Sequence, residues 1–237
     1  MSPISWSRWS IIDSAGEAQR AHNSSADGAA SLCIKSMAKP LTRNAADDRL
    51  PPGQYLTTQF PVLSYGPTPR FNPQKWDLRM IGLVEEPLRL TWEQLRALPK
   101  TEQISDFHCV TTWSRYDNRW AGVHIRDLMK LVKLKPEAKH VFALCDGGYA
   151  TNLTLEEFLD DDVMVAWGHD GKDLHPDHGF PLRLVVPKLY GWKSAKWVRA
   201  LEFTVNDRRG FWEVRGYHNH GDPWTEERYS FQEEPED

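Results

Sequence analysis

The 237-residue sequence predicts an α+β domain built on a mixed, barrel-like sheet with short helices. Three observations carry that expectation: strand-length segments outnumber helical ones, the helical segments are short, and strict strand–helix–strand alternation is absent. In chain order, Trp76-Asp77-Leu78-Arg79-Met80-Ile81 alternates as a strand does and is closed by Gly82 and the Glu86-Pro87 step. Thr91-Trp92-Glu93-Gln94 has the form of a capping box, and Leu95 and Leu98 carry a short helix to Pro99. Val123 to Leu134 places Ile125, Leu128, Met129 and Val132 at helical spacing. His140 to Leu144 is an apolar run of strand length. Thr154-Leu155-Glu156-Glu157 is a second capping box leading Phe158 and Leu159 into a helix. Leu182 to Val186 and Val198 to Val205 read as buried strands, and no internal repeat is visible.

The ends differ from this middle. Residues 1–36 hold nine serines and six alanines without helical or alternating pattern, and are expected to be a disordered extension upstream of a start at Met37. They contain neither the continuous apolar stretch of a secretory signal nor a twin-arginine pair. The ordered domain is expected over 37–229. From Glu226 onward six acids stand against one arginine, so the last residues, 230–237, read as a solvated acidic tail. A net charge of −4 argues against a nucleic-acid partner, and no apolar run reaches the roughly 18 residues of a membrane span. Three scattered cysteines fit a reducing compartment, and the protein is expected in the cytoplasm.

Two segments carry chemistry. In Asp106-Phe107-His108-Cys109-Val110-Thr111-Thr112-Trp113-Ser114 a thiol sits at a strand end beside histidine, hydroxyl and indole groups. A lone cysteine there is most often a small buried hydrophobe. Where its surroundings favour the thiolate it becomes a nucleophile or a soft-metal ligand. Pairing His108 with Cys109 as a hydrolase dyad is disfavoured, because neighbours in a strand face opposite ways. The second segment runs His178-Gly179-Phe180-Pro181-Leu182-Arg183-Leu184-Val185-Val186-Pro187, then Leu189-Tyr190-Gly191-Trp192-Lys193-Ser194-Ala195-Lys196-Trp197. It reads either as a solvated surface loop or as an anion cradle of backbone donors, arginine and lysine.

Together the two segments closely resemble the molybdopterin-binding domain of the sulfite oxidase family, over about residues 60–229. The resemblance implies that domain's fold and one molybdenum–molybdopterin cofactor per chain, with molybdenum held by the thiolate of Cys109. A soft sulfur donor suits a metal already bound by dithiolene sulfurs. By the same resemblance His178 and Arg183 contact the pterin and its phosphate, and Ser194, Ala195 and Lys196 wrap the same end. Cys145 and Asp146 fall where a strand offers a further pterin contact, often from a hydroxyl residue, so the thiol is a departure. Gln59 to Gly66, with Leu63 and Ser64, corresponds to an early loop lining the cofactor. Trp113, Arg115 and Tyr217 are the candidates for the substrate pocket.

The likeness is to compact bacterial and archaeal relatives, without the haem domain or the immunoglobulin-like dimerisation domain of the animal and plant enzymes. Ser114 stands where a sulfite-binding arginine is expected. The expected reaction is two-electron oxygen-atom transfer, either oxidation of a sulfite-like anion or reduction of a sulfoxide or N-oxide. Electrons then pass through a separate cytochrome, flavoprotein or quinone-linked protein. Two alternatives stay open: a non-catalytic pterin carrier, and a zinc hydrolase built on the run from His169 to His178, which otherwise reads as a polar hairpin. His218-Asn219-His220 either lines the substrate mouth or closes the domain.

Overall fold

The structure, a computed structural model, describes residues 48–233. The expected extension at 1–36, the start at Met37 and the last four residues of the acidic tail lie outside them. Eleven strands and three short α-helices follow one another within the described residues. The strands are β1 (Tyr55–Leu56), β2 (Asp77–Gly82), β3 (Leu88–Thr91), β4 (Thr101–His108), β5 (Trp113–His124), β6 (His140–Cys145), β7 (Ala150–Thr154), β8 (Met164–His169), β9 (Lys172–Asp173), β10 (Arg183–Val185) and β11 (Val198–Thr204). The helices are α1 (Trp92–Arg96), α2 (Ile125–Met129) and α3 (Leu155–Phe158).

The strands form two mixed sheets that do not close into one ring. One has the order β1-β5-β8-β10, with β4 also on β5 and β9 on β8; the other has the order β3-β2-β11-β6-β7. Each contains one parallel pair, β1 with β5 and β11 with β2, in an otherwise antiparallel ladder. Side chains alternate across a strand, and β8 shows the consequence. Val165 and Trp167 enter an aliphatic cluster shared with Leu78, Met80, Val141 and Leu201 of the second sheet. Met164 and Ala166 point the other way, into a cluster with Phe107, Cys109, Trp113 and Trp120. The first cluster joins the sheets and the second lies beside the site.

Both expected capping boxes are present. Thr91 and Thr154 cap their helices, and Gln94 and Glu157 reach back to the capping backbone. The helix expected over 123–134 is shorter. Val123 belongs to β5, paired with Val165, and His124 caps α2 by accepting Arg126 N–H at 3.0 Å. After Met129 the chain leaves the helix to pair with 83–85: Glu85 N–H donates to Lys133 O and Lys135 N–H to Leu83 O. Helical spacing alone does not foresee that competition. β5 bulges against β8 between Ala121 and Gly122, where a β-carbon at Gly122 would lie 1.9 Å from Val165 O. Only glycine permits that approach.

The described part of the acidic tail is docked, contrary to the expected solvated tail. Tyr229 bridges to Tyr217, and Glu233 accepts from Arg209 and from Asn219 N–H at 2.7 Å. Its acids are caps and ion-pair partners, a role that charge density along the sequence does not reveal.

Candidate active site

β4 ends at His108, and the chain reverses through 109–112 into β5. Cys109 N–H donates to Trp113 O and Thr112 N–H to Cys109 O, closing a turn in which Thr112 takes φ of 73°. Cys109 is 7% exposed, and its sulfur lies 3.1 Å from the Thr111 hydroxyl. Burial holds the thiol above its ordinary value, while the Thr111 hydrogen bond and the charges of Arg183 and Arg228 pull it back down. His108 faces away from this sulfur, with its Nδ1 at 2.8 Å from Ser114 Oγ, and burial lowers it to about 4. The two neighbours therefore form no dyad, as strand alternation requires.

A basic corner stands opposite. Gly179, at φ of 119°, ends a turn that brings His178, Arg183 and Lys196 together; a β-carbon there would lie 3.2 Å from both Arg183 Cβ and Lys196 Cα. Arg183 begins β10, 4% exposed, and donates to His178 O at 3.0 Å. Its guanidinium lies 4.9 Å from the Phe107 ring centre and 5.6 Å from that of Phe60. Burial draws it down to about 10. Lys196 donates to Leu63 O at 2.7 Å, to Ser64 Oγ, and to Asp177 O at 2.9 Å. The expected Leu63, Ser64, His178 and Lys196 thus meet in one place. His178 stacks on Phe60 at 4.3 Å, and burial, then Arg183 and Lys196, lower it to about 3, so it is neutral.

The third wall comes from 210–233. Tyr217 packs on Trp192, Trp212 and Tyr229, and its hydroxyl is held protonated by burial and by Tyr229 and Cys109. Lys193 is not a cradle lysine. Only 1% exposed, it pairs with Glu213 at 2.8 Å and donates to Asn152 and Asn219. His220 joins Glu157 and Glu227, and Asn219 joins Asp207, tying this segment to α3 and to the residues after β11.

Other expected residues are engaged by partners within the chain. The Arg115 guanidinium is held by Asp170, Asn118 and Thr58 O, with His169 Nε2 at 3.0 Å. It is an occupied cation, since its partners arrive through the β5–β8 pairing. Trp113 is buried in the second cluster, stacked on Phe107. Cys145 packs on the aliphatic cluster and Asp146 accepts from Arg199. Ser194 Oγ accepts Val186 N–H, and Ala195 O accepts Leu184 N–H, so both secure the loop from within. Three residues near the site were not anticipated individually. Phe60 carries His178 on its face, and Gln54 and Arg228 hold the cysteine turn. Nothing local in the sequence marks them; Arg228 lies among acids.

The surroundings fit an anionic, metal-bearing group. Arg183 Nε is buried without a hydrogen-bond partner, and no carboxylate among the described residues pairs with this guanidinium. A buried cation left so is strongly disfavoured unless something neutralises it. The group must bring most of its own metal ligands. Among the described residues no three His, Cys, Asp or Glu side chains are grouped to hold a metal, which also removes the ligand set a zinc hydrolase needs. No helix among the described residues is long and apolar enough to cross a membrane.

Comparison with known proteins gives this geometry its class. Residues 65–212 match the oxidoreductase molybdopterin binding domain, and the chain belongs to this sulfite oxidase-like family of molybdopterin-dependent oxidoreductases. It is an oxidoreductase whose cofactor is the molybdenum–molybdopterin group. It is 46% identical over 184 residues to the uncharacterised oxidoreductase YuiH of Bacillus subtilis, covering 77% of this chain and 93% of that one. It is 34% identical over 160 residues to the catalytic subunit MsrP of the protein-methionine-sulfoxide reductase of Campylobacter jejuni, covering 60% of this chain and 54% of MsrP. In structure it is similar to the sulfane dehydrogenase SoxCD of Paracoccus pantotrophus, with a TM-score of 0.57 and 25% identity over 68% of this chain and 45% of that one. The chain thus spans nearly all of YuiH but only about half of MsrP and of the SoxCD chain.

Proposed function

We propose that Cys109 is the protein's ligand to molybdenum and that the enzyme reduces an organic sulfoxide. The observation carrying the reading is the buried Arg183, unneutralised by any carboxylate among the described residues and close enough to act on the Cys109 thiol. Arg183 and Lys196 would hold the phosphate end, with His178, Leu63 and Ser64 beside it. Neutral His178 presents a flat ring and a hydrogen-bonding edge without adding charge. When bound, the group supplies two-electron oxygen-atom transfer. The sulfoxide takes up two electrons and two protons and leaves as thioether and water. Electrons come from a separate electron-transfer protein, a cytochrome, flavoprotein or quinone-linked carrier, and the compartment assigned on cysteine usage is the cytoplasm.

The substrate assignment rests on what lines the rim. Arg115, the candidate for binding a substrate anion, is neutralised by Asp170. Tyr217, close enough to feel Cys109, packs on aromatic Trp212 and Trp192. That surface favours an uncharged sulfoxide over an oxyanion, and MsrP is by name a methionine-sulfoxide reductase. Tyr217, kept protonated, would donate a hydrogen bond to the sulfoxide oxygen as it gains charge.

The test measures molybdenum by elemental mass spectrometry and released pterin by fluorescence, then turnover. About one of each per chain is expected, with sulfoxide-dependent oxidation of a reduced viologen dye. Pterin without metal, and no turnover, would favour the carrier reading. Sulfite-dependent dye reduction faster than sulfoxide turnover would reverse the direction assigned here.

A further inference from the structure

We propose that Gln54 and Arg228 are positioning residues for the Cys109 sulfur, holding the carbonyls of the turn that presents it. The inference rests on the reading of Cys109 as the metal ligand. Neither residue lies within the matched 65–212.

Every carbonyl of the turn is engaged. Cys109 O accepts Thr112 N–H at 3.0 Å and Gln54 Nε2 at 3.0 Å. Val110 O accepts Arg228 Nη1 at 2.7 Å. Thr111 O accepts the Thr112 hydroxyl at 2.7 Å, and Thr112 O accepts Tyr55 N–H at 2.8 Å. Thr112, at φ of 73°, sits in a region a β-branched residue avoids, so the turn is held in shape by its surroundings. Two of those holds come from side chains remote in sequence. Gln54 is 4% exposed, and the Arg228 side chain is 11% exposed. The Arg228 guanidinium also donates to Pro52 O at 3.4 Å and stands 5.0 Å from the Tyr190 ring centre, tying the two segments to each other.

The physical consequence concerns direction. A sulfur ligand is aimed by its backbone, and the carbonyls of Cys109 and of the residue after it are the ones Gln54 and Arg228 hold, while Gly191 N–H holds the one before it. Arg228, only loosely paired with exposed Glu226 at 3.5 Å, also brings positive charge that favours the Cys109 thiolate, and with it the reduced metal. Residues behind a ligand tune both geometry and electronics.

The experiment uses the full-length, cofactor-loaded protein with Arg228→Gln, Arg228→Lys and Gln54→Leu. Molybdenum per chain, the metal's midpoint potential, and kcat and KM with a sulfoxide are measured together. Expected for Arg228→Gln is retained molybdenum, a lower potential, and a kcat reduced by roughly tenfold to a hundredfold with KM within about twofold. Arg228→Lys should restore the potential, because the charge returns. Gln54→Leu should lower kcat while leaving the potential in place, because it removes a hydrogen bond and no charge. Unchanged kcat and potential in Arg228→Gln would overturn the proposal. Should that variant not fold, a Gln54→Leu kcat equal to the parent's overturns it as well. Cys109→Ser, run alongside, separates the two readings. If it keeps the parent's molybdenum and potential, the metal assignment itself falls; if it loses them while the Arg228 and Gln54 variants match the parent, only the positioning role falls.

Discussion

The two hydrophobic clusters flanking the first sheet share its strands β5, β8 and β10 yet do different work. The larger is mostly aliphatic, sealed by Leu78, Met80, Val141, Val165, Leu184 and Leu201. The smaller is aromatic, with Phe107, Trp113 and Trp120 around Cys109, and it keeps a buried cation beside it. In the first, no charged side chain is enclosed, and shape dominates stability. In the second, flat rings give Arg183 a surface to lie on without neutralising it. The first cluster holds no charge, whereas the second keeps beside it a buried cation for a ligand to neutralise.

That contrast breaks in order of effect. Cys109→Ser should abolish turnover and molybdenum retention while the chain still folds, since it exchanges a soft donor for a hard one at similar volume; circular dichroism beside elemental analysis reads both. Leu201→Ala, at a wholly buried site in β11, should do the opposite. It should cost about 2–5 kcal/mol in denaturant unfolding and leave pterin per folded chain unaltered. Arg183→Met sharpens the comparison. The cofactor-free chain should be as stable as the parent or more so, because an unpaired buried charge is removed. Pterin retention should fall by one to two orders of magnitude, matching a lost charged hydrogen bond of about 1.5–3 kcal/mol.

The smallest effect lies away from both clusters, where His220 clips α3 to the C-terminal segment. Its hydrogen bond to Glu157, with Glu227 on the other nitrogen, raises it from 6.5 to about 9. The folded state thus binds the proton more tightly than the unfolded one. The added stability is complete below pH 6.5 and is lost as pH rises through about 9. The melting temperature of the parent should fall more than that of His220→Gln between those values, and parallel curves would remove the clip from the account.

Much of the fold was legible because its signals are local. The capping boxes at Thr91 and Thr154 need only neighbouring residues, and so do the alternation of β2 and the apolar run of β6. α2 was overread because the chain after Met129 is claimed by backbone partners at 83–85, almost fifty residues earlier. At the site, Cys109, His178, Arg183 and Lys196 stood out as chemistry in two compact motifs. Arg115 and Trp113 stood out as well, for their proximity to Cys109 along the chain. What their proximity could not show is the company they keep: Trp113 packs on Phe107 beside Cys109, and Arg115 pairs with Asp170, 55 residues away. Lys193 was taken for a solvated or ligand-facing cation because its partner, Glu213, is twenty residues away.

By itself, then, the sequence determined the class of domain and singled out the thiol of Cys109 and the basic residues His178, Arg183 and Lys196, since those depend on residue type and short spacing. The tertiary structure alone decided which cations are left without an acid, Arg183 and not Arg115 or Lys193. It also decided that Gln54 and Arg228 grip the cysteine turn. Ion pairing and carbonyl satisfaction depend on which distant segments come to lie together, and folding settles that through the pairing of strands.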